Sequence, residues 1–201
     1  MFDQNRKESI NTGIVPNLPK KIIKLLNNKK AVLDIGCGNG WLTNYVSKTA
    51  YTGITYSKSE VENLKKIKCK ATLLNIEKEK LPYKNESFDC VFASHILEHL
   101  EKNKLIEVMN EIKRVLKKGG VLILTTPTEY SFGFYGEWTH VRPYNHGSLP
   151  NMIKDFEFTN VDWTYPAISN MPKRFQRLGR FPLFFLKPIL WKEVIAWGFK
   201  K

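Results

Sequence analysis

A glycine-rich turn is the feature that most constrains what this chain can fold into. Residues 31–42 read AVLDIGCGNGWL, in which an apolar run leads into Gly36, Gly38 and Gly40. An apolar run of this kind is typical of a buried parallel strand. Glycine adopts positive φ easily and lets a ligand approach the backbone. Apolar spacing after the turn predicts a helix over 40–48, so strand, turn and helix open a nucleotide-binding βαβ unit.

The spacing of the glycines argues against a dinucleotide as the ligand. The dinucleotide fingerprint G-x-G-x-x-G would require a third glycine where Trp41 stands, and this side chain is too bulky for close packing of helix on strand. The G-x-G-x-G form after a strand ending in Asp34 resembles motif I of the class I S-adenosylmethionine (AdoMet) methyltransferases. That resemblance implies a carboxylate, here Asp34, near the ammonium of AdoMet. A glycine turn in another α/β protein is the alternative.

Strand and helix patterns alternate along the rest of the chain. Strands are predicted at 30–35, 51–55, 71–76, 88–93, 121–126, 158–165 and 193–199. Helices are predicted at 17–28, from Ser57 through Ile67, at 105–116 with a Lys-Lys-Gly-Gly stop signal, and at 149–156. Alternation of this kind predicts an α/β fold with a mostly parallel sheet and helices on both faces. The family resemblance implies a Rossmann-like sheet of seven strands with the last strand antiparallel.

We expect a single methyltransferase domain spanning the 201 residues. Residues 1–28 form an N-terminal arm and helix, and 29–165 form the cofactor-binding core, which is the part that carries the resemblance. Residues 166–192 form an insertion or cap between the sixth and seventh strands. Residues 193–201 form the last strand.

Composition bears on partners and location. The net charge of +13 suggests an acidic partner such as nucleic acid, anionic lipid or a phosphorylated substrate. The three cysteines lack metal-binding spacing and are expected to be reduced and buried. Neither a secretory signal nor an apolar run long enough to cross a membrane is visible, so we expect a cytoplasmic protein.

Further cofactor residues follow from the resemblance. The family commonly has an acidic residue after the second strand, where it binds the ribose, but Thr55 stands here, as in relatives resembling the cyclopropane-fatty-acid synthases. A threonine hydroxyl cannot accept both ribose hydroxyls as a carboxylate does. The side-chain carbonyl oxygen of Asn75 would accept a hydrogen bond from the adenine amino group. The predicted AdoMet-binding residues are Asp34, Gly36, Cys37, Gly38, Gly40, Thr55, Tyr56, Asn75, Ile76, Ser94 and His95.

The sequence His95-x-x-Glu98-His99 allows three interpretations. It matches a metalloprotease signature, but that requires a zinc-binding helix rather than a position after a strand of a methyltransferase pattern. With His140, it imitates a divalent-metal cluster of some small-molecule and RNA 2′-O methyltransferases. It also suits residues that cap and pack a turn. The predicted site contains no metal ligand, and the second and third interpretations stay open.

The segment Glu137 to Tyr144, EWTHVRPY, should lie at the carboxyl edge of the sheet, where ligands of open α/β folds bind. It resembles methyltransferases of polysaccharide and glycan biosynthesis. His140 would take the proton of an acceptor hydroxyl and Arg142 would hold a phosphate or carboxylate, so these are the predicted catalytic residues. Tyr135, Trp138 and Tyr144 would stack on a sugar or base. A structural loop with internal polar anchors is the alternative.

The insertion 166–192 is rich in aromatic and basic residues and has no Asp or Glu. It suits a cap over the acceptor, a dimer interface, or peripheral membrane contact through 181–191. The oligomeric state does not follow from the sequence.

The sequence as a whole predicts an AdoMet-dependent methyltransferase that releases S-adenosylhomocysteine. The favoured reaction is O-methylation of a sugar or glycan-type small-molecule acceptor. The alternatives are an RNA methyltransferase, with nucleic acid as partner, and a non-catalytic AdoMet-binding partner subunit.

Overall fold

The computed structural model describes residues 17–131, 134–169 and 192–201. Seven strands are present among them: β1 Val32–Ile35, β2 Tyr51–Thr55, β3 Lys70–Leu73, β4 Phe88–Ser94, β5 Leu116–Pro127, β6 Thr159–Thr164 and β7 Glu193–Phe199. The helices are α1 Lys20–Leu26, α2 Lys58–Lys66, α3 Lys102–Val115, α4 Ser148–Asp155 and α5 Pro166–Ser169. Two short 3-10 helices cover Trp41–Asn44 and Leu97–His99.

The seven strands form one sheet in the order β3-β2-β1-β4-β5-β7-β6. Pairs among β1 to β5 are parallel, whereas β7 is antiparallel to both β5 and β6. The predicted α/β fold, with a mostly parallel Rossmann-like sheet and an antiparallel last strand, is confirmed. Because β1 to β5 run the same way, the residues that follow them meet at one edge, which we call the carboxyl edge.

Alternation along the central strands divides the core between the two faces of the sheet. Leu33 of β1 belongs to the cluster that contains the apolar residues of α3. Its neighbour Val32 belongs to the cluster on the opposite face, which contains the apolar residues of α1. Both faces are therefore covered, as expected for parallel strands that are apolar throughout.

The predicted helix over 40–48 is wrong. Only Trp41–Asn44 is helical, as a 3-10 helix that follows Gly40 in a left-handed conformation. The side chain of Thr43 donates to the carbonyl of Gly40 at 2.7 Å, and that of Asn44 donates to the carbonyl of Trp41 at 2.7 Å. Such local bonds compete with helix propagation. The glycine turn is therefore followed by a single short turn of 3-10 helix rather than by a long helix.

The predicted end of the third helix is also displaced. The helix ends at Val115, and the Lys-Lys-Gly-Gly segment that was interpreted as its stop signal is the beginning of β5. Leu116 is extended and pairs with Phe88, and the amide of Gly119 donates to the carbonyl of Lys200 at 2.8 Å. Pairing with β4 and with the chain beyond β7 thus decides the conformation of this segment.

Residues 1–16 and 170–191 lie outside the described part of the chain. The predicted arm, and the cap, interface or membrane contact predicted at 181–191, are therefore not tested. The three cysteines are free and buried, as predicted. Within the described residues, no helix combines the length and the apolar content needed to cross a bilayer.

Candidate cofactor and acceptor site

The glycine turn at the end of β1 uses its three glycines in different ways. All three have positive φ, at 69° for Gly36, 51° for Gly38 and 76° for Gly40. A Cβ at Gly36 would lie 2.1 Å from Ile96 Cδ1, and one at Gly40 would lie 2.3 Å from Leu64 Cδ2. A Cβ at Gly38 would meet nothing within 4 Å. Packing therefore requires Gly36 and Gly40, whereas Gly38 presents bare backbone to open space.

The turn is also tied to β2 through its backbone. The amides of Gly36 and Cys37 both donate to the carbonyl of Ile54 at 3.0 Å. The Cys37 side chain is buried, and its Sγ would contact a Cβ at Gly53. Burial, followed by the nearby Asp34 carboxylate, raises the pKa of the Cys37 thiol. The side chain of Cys37 is therefore directed into the core and does not serve a cofactor.

Asp34, the predicted partner of the ammonium, is only 2% exposed. Its Oδ2 accepts a 2.9 Å hydrogen bond from the hydroxyl of Tyr51. Burial raises the pKa of Asp34 to about 7, and the bond from Tyr51 opposes this rise. Near neutral pH the carboxyl is thus poised between its two protonation states, and a neighbouring cation would favour the carboxylate.

The end of β2 contains a carboxylate that sequence reasoning missed. The hydroxyl of Thr55 donates to Oε2 of Glu60, in the first turn of α2, and accepts from the amide of Ser57 at 3.1 Å. Ser57 is the residue that precedes the helix, as predicted, so Glu60 stands at the third helical position. An acidic residue three positions after an N-cap serine is a recognised sequence signal, and it pointed to this carboxylate.

The other predicted cofactor residues lie on neighbouring loops of the carboxyl edge. Oδ1 of Asn75 accepts a bond from the amide of Glu77 at 2.9 Å, so it already closes its own turn. Ile76 is half-buried against the core, and Tyr56 is exposed beside Thr55.

The end of β4 brings Ser94 and His95 to the same edge. Ser94 is half-buried, and His95 has a positive φ of 54°. Nε2 of His95 is 3.1 Å from Glu193 Oε1, and its Nδ1 is 3.4 Å from Glu98 Oε1. Burial lowers the pKa of His95, but the Glu193 and Glu98 carboxylates outweigh it and raise the pKa well above the ordinary value. A positive charge on His95 is therefore stabilised at this position.

The segment predicted to bind the acceptor is anchored to the turn after β4. The amide of Val141 donates to the carbonyl of Glu98 at 2.7 Å. Nδ1 of His140 is 2.8 Å from the carbonyl oxygen of Phe134, and the two rings stack with centroids 4.7 Å apart. Because a carbonyl only accepts, Nδ1 carries the proton and the lone pair of His140 is on Nε2.

Buried polar atoms without a hydrogen-bond partner gather at this anchor. They are both carboxylate oxygens of Glu98, Nε of Arg142 and the hydroxyl of Tyr144. Burial raises the pKa of Tyr144 to about 12. The charge of Arg142 lowers this pKa and that of Glu98 raises it further, so both groups lie near the Tyr144 hydroxyl. Tyr144 belongs to the core, so its predicted role in stacking on a substrate is wrong. Tyr135 and Trp138 are each 75% exposed and available for that role.

Two interpretations of His95-x-x-Glu98-His99 involve a metal, and the geometry opposes the metalloprotease site. A protease site would need both histidines on one helix, but His95 precedes a 3-10 helix of three residues and faces Glu193. Glu98, His99 and His140 instead offer ligand atoms that all lie within 4.8 Å of one another.

Comparison with known proteins supports the fold described above. Residues 33–124, from β1 into β5, match the family described as a methyltransferase domain. The matched residues therefore resemble an AdoMet-dependent methyltransferase domain. A methyltransferase from Archaeoglobus fulgidus has a similar structure, with a TM-score of 0.70 over 90% of both chains at 18% identity, which supports the fold.

Curated relatives show how far the similarity in sequence extends. An uncharacterised protein of Methanocaldococcus jannaschii is 31% identical over 72% of this chain and 61% of its own length. A malonyl-[acyl-carrier protein] O-methyltransferase of Legionella pneumophila is 25% identical over 72% of this chain and 53% of its own length. The chain spans about half the length of the curated relatives that it matches.

AdoMet is the cofactor of this methyltransferase domain, and the residues at the carboxyl edge fit it. Gly38 leaves open space against the backbone, which suits the close approach of a bulky nucleoside cofactor. The Asp34 carboxyl suits the ammonium, and the Thr55–Glu60 pair offers acceptor oxygens of the kind that ribose hydroxyls require.

Proposed function

We propose that this methyltransferase transfers a methyl group from AdoMet to a hydroxyl of a sugar or glycan acceptor. The observation that carries the proposal is the fixed imidazole of His140. Its Nδ1 donates to the Phe134 carbonyl, so its Nε2 lone pair is available at the carboxyl edge that also holds the glycine turn. An imidazole with this tautomer suits removal of a proton from an alcohol.

The reaction is a direct displacement at the sulfonium methyl. The acceptor oxygen forms a bond to the methyl carbon while the bond from carbon to sulfur breaks, leaving S-adenosylhomocysteine. The hydroxyl proton passes to Nε2 of His140 as the new bond forms. Most of the rate enhancement in such a step comes from orienting the donor and the acceptor.

The exposed aromatic residues support a sugar as the acceptor. Trp138 and Tyr135 lie on the same segment as His140, and each has three quarters of its surface exposed. Amphipathic rings of this kind suit the apolar face of a sugar. Arg142, whose buried Nε has no hydrogen-bond partner, suits a phosphate or carboxylate attached to the acceptor.

RNA is the second candidate acceptor, favoured by the net charge of +13. The two candidates differ in their dependence on salt, because binding to a phosphate backbone weakens steeply as salt rises. The third candidate, an AdoMet-binding partner subunit without activity, would bind the cofactor and methylate nothing.

Methyl transfer from radiolabelled AdoMet to fractionated glycans, glycolipids and RNA tests the proposal. We expect label in the glycan-containing fractions, stable to base and released with sugar on hydrolysis. Trp138→Ala should raise the KM for the acceptor and leave AdoMet affinity unchanged, with exposed Trp163→Ala as the matched control. Label confined to RNA, or tight AdoMet binding with no labelled product, would contradict the proposal.

A further inference from the structure

Three potential metal ligands converge at the carboxyl edge from two separate parts of the chain. Glu98 and His99 belong to the 3-10 helix after β4, and His140 belongs to the segment after β5. One ligand atom from each lies within 4.8 Å of the other two. The imidazole centroids of His99 and His140 are 4.7 Å apart, and the backbone bond from Val141 to Glu98 holds the two segments together.

Both imidazoles are held with Nε2 as the basic nitrogen. Nδ1 of His140 donates to the Phe134 carbonyl at 2.8 Å. Nδ1 of His99 is 3.0 Å from the hydroxyl of Thr139 and 3.3 Å from its carbonyl. The Thr139 hydroxyl donates in turn to Glu137 at 2.9 Å, so it accepts from His99. Such second-shell bonds are those that fix the tautomer and orientation of histidines that bind metals.

Glu98 supplies the independent indication of a ligand. Its side chain is 0% exposed, and neither carboxylate oxygen accepts a hydrogen bond. Nδ1 of His95 is 3.4 Å from Oε1, an ion-pair distance without a hydrogen bond. A buried carboxylate whose oxygens accept no hydrogen bond is costly even beside one cation, and binding to a metal would offset that cost. A cation at this position would satisfy it.

We infer that Glu98, His99 and His140 form a binding site for one divalent transition-metal cation. Two imidazoles and one carboxylate favour Zn²⁺, Mn²⁺ or Fe²⁺ over Mg²⁺ and Ca²⁺, which prefer oxygen ligands. Ligands around a tetrahedral cation at about 2.1 Å stand about 3.4 Å apart. The three groups therefore reach bonding distance through small side-chain rotations. Three protein ligands leave at least one position open, as in catalytic rather than structural metal sites.

The open position gives the cation a role that rests on the proposed O-methylation. The cation would supply Lewis-acid chemistry there, because it would make a bound acceptor hydroxyl more acidic and let the proton pass to solvent. The acceptor oxygen would then attack the sulfonium methyl as the carbon–sulfur bond breaks to give S-adenosylhomocysteine. With the cation bound, Nε2 of His140 is a ligand and no longer a general base.

Direct binding tests the site without any acceptor. The full chain is stripped with EDTA, and the binding of Zn²⁺ and of Mn²⁺ is followed by calorimetry and by elemental analysis. Co²⁺ is added as an optical probe of nitrogen and oxygen ligands. We expect one ion per chain, and a loss of affinity of more than about tenfold in Glu98→Gln, His99→Ala and His140→Ala, since second-shell changes alone cost that much. His146→Ala, which removes a histidine outside the proposed cluster, is the matched control and should bind as the wild type does.

Thermal unfolding keeps the test informative if a ligand variant folds poorly. Glu98→Gln keeps the size of the side chain and removes the unpaired carboxylate, so its metal-free form should unfold at the same temperature as the wild type or higher. Zn²⁺ should then raise the unfolding temperature of the wild type and not of this variant. Equal stabilisation of both proteins would overturn the site.

Methyl transfer separates this inference from the proposed function. Stoichiometric binding that is lost in the three variants establishes the site even if no sugar is methylated. Conversely, full glycan methylation by the EDTA-stripped enzyme, together with wild-type metal binding by Glu98→Gln, would overturn the metal site and leave O-methylation standing.

Discussion

The hydroxyl of Tyr51 donates a 2.9 Å hydrogen bond to Oδ2 of Asp34 in the buried layer of the sheet. Tyr51 is the first residue of β2, and Asp34 lies in β1 two positions before the first glycine of the turn. It partly offsets the effect of burial, which raises the pKa of the Asp34 carboxyl to about 7. The carboxyl is thereby kept close to ionisation in the cofactor site.

The contribution of Asp34 to the stability of the cofactor-free protein should fall as pH rises through the acidic range. The pKa of Asp34 is raised from 3.8 in the unfolded chain to about 7 in the folded one, so the folded state binds the proton more tightly. Its contribution is therefore complete below pH 3.8 and is lost by about pH 7. Its full size is on the order of 4 kcal/mol. Urea unfolding of the wild type and Asp34→Asn across this range measures it, and parallel curves for the two proteins would contradict it.

AdoMet binding should release a proton near neutral pH. The ammonium of the cofactor beside Asp34 favours the carboxylate, so the affinity should increase as pH rises toward about 7 and then level off. Calorimetry in two buffers with different heats of ionisation gives the number of protons released. Asp34→Asn should bind AdoMet more weakly and without proton release. A wild-type affinity that is constant with pH would show that Asp34 does not face the cofactor.

Gly38→Val should lose AdoMet binding, whereas Gly40→Val should lose stability. The side chain at 38 enters open space, so the protein should fold, with a cost of about 1–2 kcal/mol for positive φ, and should lose AdoMet binding. The side chain at 40 would collide with Leu64, so that variant should lose stability far more. Thermal unfolding and calorimetry distinguish these outcomes. Wild-type AdoMet affinity in Gly38→Val would refute the assignment of the cofactor site.

Thr55 and Glu60 should behave as a coupled pair. Thr55→Asp alone replaces a hydrogen-bond donor by a second carboxylate beside Glu60, so it should lower both stability and AdoMet affinity. Adding Glu60→Gln should restore both, because one carboxylate then remains to accept the ribose hydroxyls. A double-mutant cycle on AdoMet affinity measures the coupling. Additive effects would mean that Glu60 takes no part in binding the cofactor.

The sequence predicted the parts of the fold that depend on local pattern. Apolar runs located the strands, and the glycine spacing at 36, 38 and 40 located the turn at the end of β1. What it missed depends on contacts between distant segments. The Lys-Lys-Gly-Gly segment is extended because Leu116 pairs with Phe88, which no local pattern reveals.

In the candidate site, too, the sequence predicted local features and missed those that depend on contacts between distant segments. The sequence marked Glu98, His99 and His140, together with His95, as possible neighbours because they imitate a metal cluster of some small-molecule and RNA 2′-O methyltransferases. It did not predict that Tyr144 would be buried, nor that Tyr51 would bond to Asp34, since burial depends on how the loops pack. Glu60 was missed although its position after Ser57 carried a local signal.

The amide of Val141 holds the acceptor segment to the carbonyl of Glu98, and a bond between two main-chain groups does not depend on the identity of either side chain. Exposed neighbours such as Trp138 can therefore be exchanged over evolutionary time without moving His140. One reactive centre can thus be inherited unchanged by descendants that recognise unrelated molecules. Acceptor specificity would then change through substitutions of exposed residues such as Trp138, while His140 and its chemistry stay the same.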